Sequence, residues 1–139
     1  CGVGGFALAC ARAGFPRVTG VEVSSGAISS AISAARHAGL SRGAATFIAD
    51  DATAWARGRD AAQVPDVIVV NPPRRGIGAD LAAYLNECSA PRIIYSSCNP
   101  TTLAADLARM PSLRAVEGRL FDMFPHTTHA EVALLLERA

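Results

Sequence analysis

The chain has 139 residues, half of them hydrophobic and 18% charged, which is enough apolar material for one packed domain and too much for a disordered one. No apolar run approaches the roughly 20 residues of a membrane helix, and no basic stretch precedes an apolar segment as in a secretion signal, so a soluble cytoplasmic protein is expected. The net charge is +1 and all 13 basic residues are Arg, without the basic excess of a self-sufficient nucleic-acid binder.

The chain opens on Cys1-Gly2-Val3-Gly4-Gly5-Phe6, a glycine turn entering an Ala-rich helix predicted over 5–13. Gly2, Gly4 and Gly5 let the backbone take positive φ and approach a ligand closely; a tight turn without a ligand is the plain alternative. A strand is predicted over 17–23, and Glu22 near its end can accept hydrogen bonds from ribose hydroxyls, as acidic residues do in dinucleotide-binding folds. A helix over 26–39 and a strand over 44–49 lead to Asp50-Asp51. Asp51 can accept from an adenine amino group or cap the helix predicted over 52–57, and the two roles are compatible.

Strands predicted over 64–70 and 92–96 are β-branched runs without polar alternation, the mark of central strands covered on both faces. The first ends in Asn71-Pro72-Pro73-Arg74. Its prolines fix φ and remove donors, so the Asn71 side chain is held at the strand's carboxyl end. Enzymes that methylate the amino groups of adenine or cytosine carry a similar Asn-Pro-Pro followed by an aromatic. Here Arg74 and Arg75 stand in that place, which favours a site gripping phosphate or carboxylate.

A helix over 79–88 separates these strands. The second strand ends in Ser96-Ser97-Cys98-Asn99-Pro100, ahead of a helix over 101–110. A thiol just before a helix N-terminus sits at the positive end of the dipole, where a nucleophile is favoured; a small buried Cys is the alternative. Strands over 113–120 and 131–137 close the chain. Glu131 opens the last and is a candidate base, with a surface ion pair as its ordinary reading. His126 and His129 lack further ligand spacing and read as site-shaping hydrogen-bonders rather than a metal pair. Cys10 and Cys88 read as small buried hydrophobes, and all four cysteines as free thiols.

The alternation of strands and helices argues for an α/β fold with a doubly wound, mostly parallel sheet. Such a fold needs a strand feeding the first glycine turn, and Cys1 already lies in that turn. The sheet is therefore expected to lack its first strand, and the sequence to be part of a longer one.

Cys-Gly-Val-Gly-Gly-Phe, Asn-Pro-Pro-Arg-Arg-Gly-Ile-Gly, Tyr-Ser-Ser-Cys-Asn and Leu-Phe-Asp-Met-Phe-Pro-His-Thr-x-His-x-Glu occur in that order. Together they resemble the RNA uracil-C5 methyltransferases, and among these the branch that methylates 23S ribosomal RNA. The resemblance covers the whole chain. It implies a Rossmann-like class I S-adenosylmethionine-dependent methyltransferase fold, with residues 1–139 forming a C-terminal catalytic domain. The family's RNA-binding region and the cysteines of its iron–sulfur cluster fall upstream of Cys1, so no cluster is expected on the cysteines present.

By position the resemblance implies Cys98 as the nucleophile that attacks C6 of uracil and Glu131 as the acceptor of the C5 proton. It also implies Glu22 and Asn71 as contacts to S-adenosylmethionine, whose methionine part lies over the glycine turn. The family's tRNA branch tends to Asp at the position of Asn71, so Asn71 with Arg75-Gly76-Ile77-Gly78 points to the ribosomal branch. RNA is the expected partner, with neither DNA nor membrane. Two other readings use the same residues: an amino-methyltransferase built on the Asn-Pro-Pro loop, which has no need of a thiol, and an inactive truncated remnant, which would bind no cofactor.

Overall fold

Two units divide the chain, Cys1–Gly58 and Arg59–Ala139. The structure is a computed structural model and describes every residue except 42, 61, 62, 124, 125, 128 and 129. His129 and part of the segment before the last strand therefore lie outside the described residues.

The first unit runs α1 (Gly5–Arg12), β1 (Val18–Glu22), α2 (Ser25–His37), β2 (Ala45–Ala49) and α3 (Ala52–Arg57). Two of its helices, α2 and α3, start on a side-chain cap: Ser24 accepts from Ala27 N–H at 3.3 Å and Asp51 from Ala54 N–H at 2.8 Å. β1 and β2 pair in parallel from Val18↔Ala45 to Glu22↔Ala49. A Cβ on Gly20 would stand 2.9 Å from Phe47 Cδ1, so the glycine in β1 is what admits the Phe47 ring. The buried hydrophobics of this unit are Ala7, Ile28, Ala31 and Ala56, nearly all of them small.

The second unit runs β3 (Val67–Val70), α4 (Gly78–Glu87), β4 (Arg92–Ser97), α5 (Pro100–Ala108), β5 (Leu113–Phe121) and β6 (Glu131–Arg138). Its four-stranded sheet has the order β3-β4-β6-β5. β3 and β4 are parallel, joined through α4, whereas β6 runs antiparallel to both β4 and β5. β6 thus departs from the parallel reading. The cause is local: only nine residues separate Phe121 from Glu131, and a connection that short returns a strand antiparallel, since a parallel crossover needs about a dozen or more.

β4 is central as its composition predicts, with Ile93 and Tyr95 fully buried. β3, read as central too, stands at the edge of this sheet with all four residues half buried. It also starts at Val67 rather than 64, since Pro65 has no N–H to give a ladder.

Tyr95, Ile93, Leu85, Met110, Leu136, Ala82 and Leu103 form the core between this sheet and its helices. Arg138, at the end of β6, closes the carboxyl end of α4 by donating to the carbonyls of Leu85 and Asn86 at 2.9 Å each. Cys88, read as a buried hydrophobe, is half buried and accepts from Arg138 Nη2 at 3.3 Å; all four cysteines are free thiols. Among the described residues no helix is long and apolar enough to cross a membrane, and no three His, Cys, Asp or Glu side chains gather as a metal site.

Candidate active site

Three predicted residues meet at one end of the second unit's sheet. The register of β4 with β6 ends at Ser97↔Val132, so the next position along β4 is Cys98 and the preceding one along β6 is Glu131. The two flank the same terminal rung. β3 joins them from the other side: its last pair is Val70↔Tyr95, which leaves Asn71 beside Ser96.

Hydrogen bonds tie this end together. Asn71 Nδ2 donates to the backbone carbonyl of Ser96 and to Glu131 Oε1, both at 3.1 Å. Ser96 Oγ, whose residue is only 2% exposed, donates to the same Glu131 oxygen at 2.5 Å. Asn71 thus commits both amide protons within its own unit, and any contact it makes to a further ligand falls to Oδ1.

Cys98 is half buried and lies between two turn-forming residues. Ser97 Oγ accepts from Asn99 N–H and donates to Asn99 carbonyl oxygen, both at 3.1 Å. The Asn99 side chain caps α5 by accepting from Thr101 N–H at 3.2 Å. Cys98 therefore stands on a hydrogen-bonded turn, one residue before the N-cap of the nine-residue α5.

The loop after β3 is docked onto α5. The Arg74 carbonyl accepts from Asn99 Nδ2 at 2.9 Å and from Thr102 Oγ1 at 3.0 Å. Ile77 N–H donates to Asp106 Oδ2 at 2.9 Å, and Tyr95 hydroxyl donates to the same oxygen at 2.7 Å. Arg109 closes the set with a 2.9 Å ion pair to Asp106 Oδ1. Burial, reinforced by the adjacent Asp106, pushes the Tyr95 hydroxyl well above its ordinary value, so it remains a donor. Gly76 is required here: its φ is 84°, and a Cβ would stand 2.3 Å from Asp106 Oδ2.

Ser96 and Asp106 were not singled out by the sequence. Asp106 did carry a signal, since it shares the apolar helical spacing of Leu103 and Met110. Ser96 carried none, because a serine at a strand end is ordinary. His126 has a positive φ of 72°, and its predicted companion His129 is outside the described residues.

In the first unit the glycine turn and Glu22 meet. Glu22 Oε2 accepts from Gly2 N–H at 3.0 Å and from the Cys1 nitrogen at 3.1 Å, while Oε1 accepts from Ser24 N–H at 3.2 Å. These donors, Gly2 N–H foremost, lower its carboxyl to about 2. Gly4 has φ 90°, and a Cβ there would stand 3.0 Å from Ala31 Cβ and 3.1 Å from Phe47 Cε1, whereas Gly2, at φ 55°, and Gly5 have nothing within 4 Å of where a Cβ would stand. The turn is packed at Gly4 and open at Gly2 and Gly5. Asp51 acts as the α3 cap, and Asp50 N–H donates to the Glu22 carbonyl at 3.1 Å, which brings the ends of β1 and β2 together.

A family model described as tRNA (Uracil-5-)-methyltransferase matches residues 60–139. The 23S rRNA (uracil(747)-C(5))-methyltransferase of Shewanella pealeana is 50% identical over 136 residues, covering 98% of this chain and 35% of the relative. The protein of the same name from Pectobacterium atrosepticum is 47% identical over 139 residues, covering 100% of this chain and 36% of the relative. The chain therefore spans little more than a third of the length of these relatives. The crystal structure of the tRNA (uracil-54, C5)-methyltransferase of Pyrococcus abyssi, in complex with S-adenosyl-L-homocysteine, superposes with a TM-score of 0.82 at 33% identity, covering 97% of this chain and 32% of that one.

Proposed function

Because the chain belongs to the tRNA (uracil-5-)-methyltransferase family, we propose that it is the catalytic part of an enzyme that methylates C5 of a uracil in 23S ribosomal RNA. Its fold is the Rossmann-like class I methyltransferase fold. The ribosomal substrate rests on the relatives named above, and a cytoplasmic location follows from such a substrate. The observation that carries the mechanism is the shared end of β4 and β6, where Cys98 and Glu131 flank the rung Ser97↔Val132.

The residues of the first unit fit S-adenosylmethionine. Gly2 and Gly5 leave the turn open for the methionine part, and Glu22, fixed by backbone donors at the end of β1, is suited to ribose hydroxyls. Asp51 keeps the adenine amino group as its proposed second contact. When bound, S-adenosylmethionine supplies an electrophilic methyl group.

Uracil C5 is not nucleophilic enough to take that methyl unaided, so the chain's own residues must activate it. The Cys98 thiolate adds to C6, and the electron pair of the C5–C6 double bond moves onto C5 and the carbonyl. After methylation C5 carries both a methyl group and a proton. Glu131 removes that proton, the C5–C6 double bond re-forms, and the C6–S bond breaks to return the Cys98 thiolate.

The order of steps gives the test. In the full-length protein Glu131→Gln should still attack and methylate, then stall with RNA bound to Cys98. A denaturing gel after incubation with RNA and methyl-labelled cofactor should show a slow band that carries label and collapses with nuclease. Cys98→Ala should form no such band and lose about 10⁴-fold or more in rate. Normal turnover by Glu131→Gln would assign the base to another group; uracil methylation by Cys98→Ala would end the covalent mechanism.

A further inference from the structure

Two hydroxyl-and-amide donors converge on one oxygen of Glu131. Ser96 Oγ reaches Oε1 at 2.5 Å and Asn71 Nδ2 reaches it at 3.1 Å. A hydroxyl on a buried strand is costly unless it is hydrogen-bonded, and Ser96, 2% exposed, directs its one proton to this carboxylate. Its partner across the ladder is Ala133, two residues along β6 from Glu131. Asn71 is itself pinned by its second proton on the Ser96 carbonyl. The amide orientation is chemically fixed, because both its partners are acceptors only.

Resting on the reading of Glu131 as the proton acceptor, we infer that Ser96 is a positioning residue for the release step, which with Asn71 clamps Glu131 Oε1 and turns Oε2 toward the C5 proton. With two donors on Oε1, the basic lone pair is on Oε2. The proton of C5 passes to Oε2, its bonding pair becomes the new C5–C6 π bond, and the C6–S pair returns to Cys98 as thiolate. The resulting neutral acid keeps a carbonyl-like Oε1 that Ser96 and Asn71 continue to hold. Asn71 suits this clamp where an aspartate would not: an amide donates to Glu131, whereas a second carboxylate would repel it.

Ser96 acts after methylation only, and this separates it from a merely structural serine. In single-turnover experiments on the full-length protein with a 23S ribosomal RNA transcript and methyl-labelled cofactor, two rates are read: appearance of the labelled covalent adduct and its decay. Ser96→Ala should leave appearance within about twofold and slow decay by about 10–100-fold, the scale of a misplaced general base. Ser96→Thr, which keeps the hydroxyl, should restore decay. In a Glu131→Gln background Ser96→Ala should change nothing further, because two residues acting through one group are not additive. Should Ser96→Thr fail to fold, that non-additivity decides alone.

Decay at the normal rate in Ser96→Ala, equal slowing of both rates, or an additive loss in the double variant would each overturn the inference. If Glu131→Gln traps adduct while Ser96→Ala decays normally, the clamp falls and the base stands. If Glu131→Gln turns over without trapping, both fall.

Discussion

The two units hold their candidate residues in different ways. In the first, position is set by backbone: a left-handed Gly4, an open Gly2, and one carboxylate gathering N–H groups from Gly2 and Ser24. Its buried hydrophobics are three alanines and Ile28. In the second, position is set by side chains over a larger core of Tyr95, Leu85, Ile93, Met110 and Leu136. Asn71, Ser96, Asn99, Thr102 and Asp106 each reach across to another strand, loop or helix. The family match begins at residue 60, one residue into the second unit. A glycine turn with an acidic strand end is common to many nucleotide-binding folds. The proposed nucleophile and base, Cys98 and Glu131, which flank one rung, both lie in the second unit.

If side chains set the second unit's geometry, removing its most connected buried one should hurt most. Asp106→Ala leaves the Tyr95 hydroxyl, Ile77 N–H and Arg109 without their shared acceptor. The expected loss is about 2–5 kcal/mol, the effect of leaving two donors, the buried Tyr95 hydroxyl and the Ile77 N–H, without an acceptor at roughly 1–3 kcal/mol each. Urea unfolding of wild type and variant measures it. A loss under about 1 kcal/mol would mean that the loop after β3 is held by Arg74, Asn99 and Thr102 alone.

Much of this was legible in the sequence. Strand and helix order followed from apolar runs and alanine-rich stretches, the polar residues after strands marked Asn71 and Cys98, and the pattern before the last strand marked Glu131. Strand direction was less so, because a β-branched run such as Val67–Val70 reads the same whichever way its neighbour points. The antiparallel course of β6 follows from the short connection after Phe121, a feature of the link and not of the strand. Asp106 was overlooked because an acid in the middle of a helix is normally solvated; its burial becomes necessary only when Gly76, Ile77 and Tyr95 converge on it. Ser96 shows the same limit, since its importance lies in a partner 35 residues away.

In the first unit the corresponding weak point is backbone. Gly4→Ala would place a Cβ 3.0 Å from Ala31 Cβ and 3.1 Å from Phe47 Cε1, at φ 90°. Strain and overpacking together should cost about 1–3 kcal/mol. Gly5→Ala, with nothing within 4 Å, should be neutral or slightly stabilising inside a helix. Comparing the two melting temperatures sharpens the contrast: equal shifts would show that the packing of Gly4 is not what shapes the turn.

The smallest expected effect concerns Glu22 and acid. Its carboxyl is lowered to about 2 from 4.5, chiefly by Gly2 N–H and then by Ser24 N–H. A group whose folded value lies below its unfolded one binds protons more readily when unfolded, so it stabilises the folded state at pH above the unfolded value. That contribution is whole above about pH 4.5 and is lost as pH falls toward about 2. The two largest causes are backbone N–H groups, so the direction is the same whether the nitrogen of residue 1 is an amine or an amide. Glu22→Gln removes the charge while keeping the shape. The variant should be less stable than wild type by about 1 kcal/mol at neutral pH, since the site is partly exposed and screened. Urea midpoints taken from pH 7 down to pH 2 should show a constant gap to about pH 5 that then closes. A gap unchanged at pH 2 would mean that Glu22 does not hold the glycine turn through its charge.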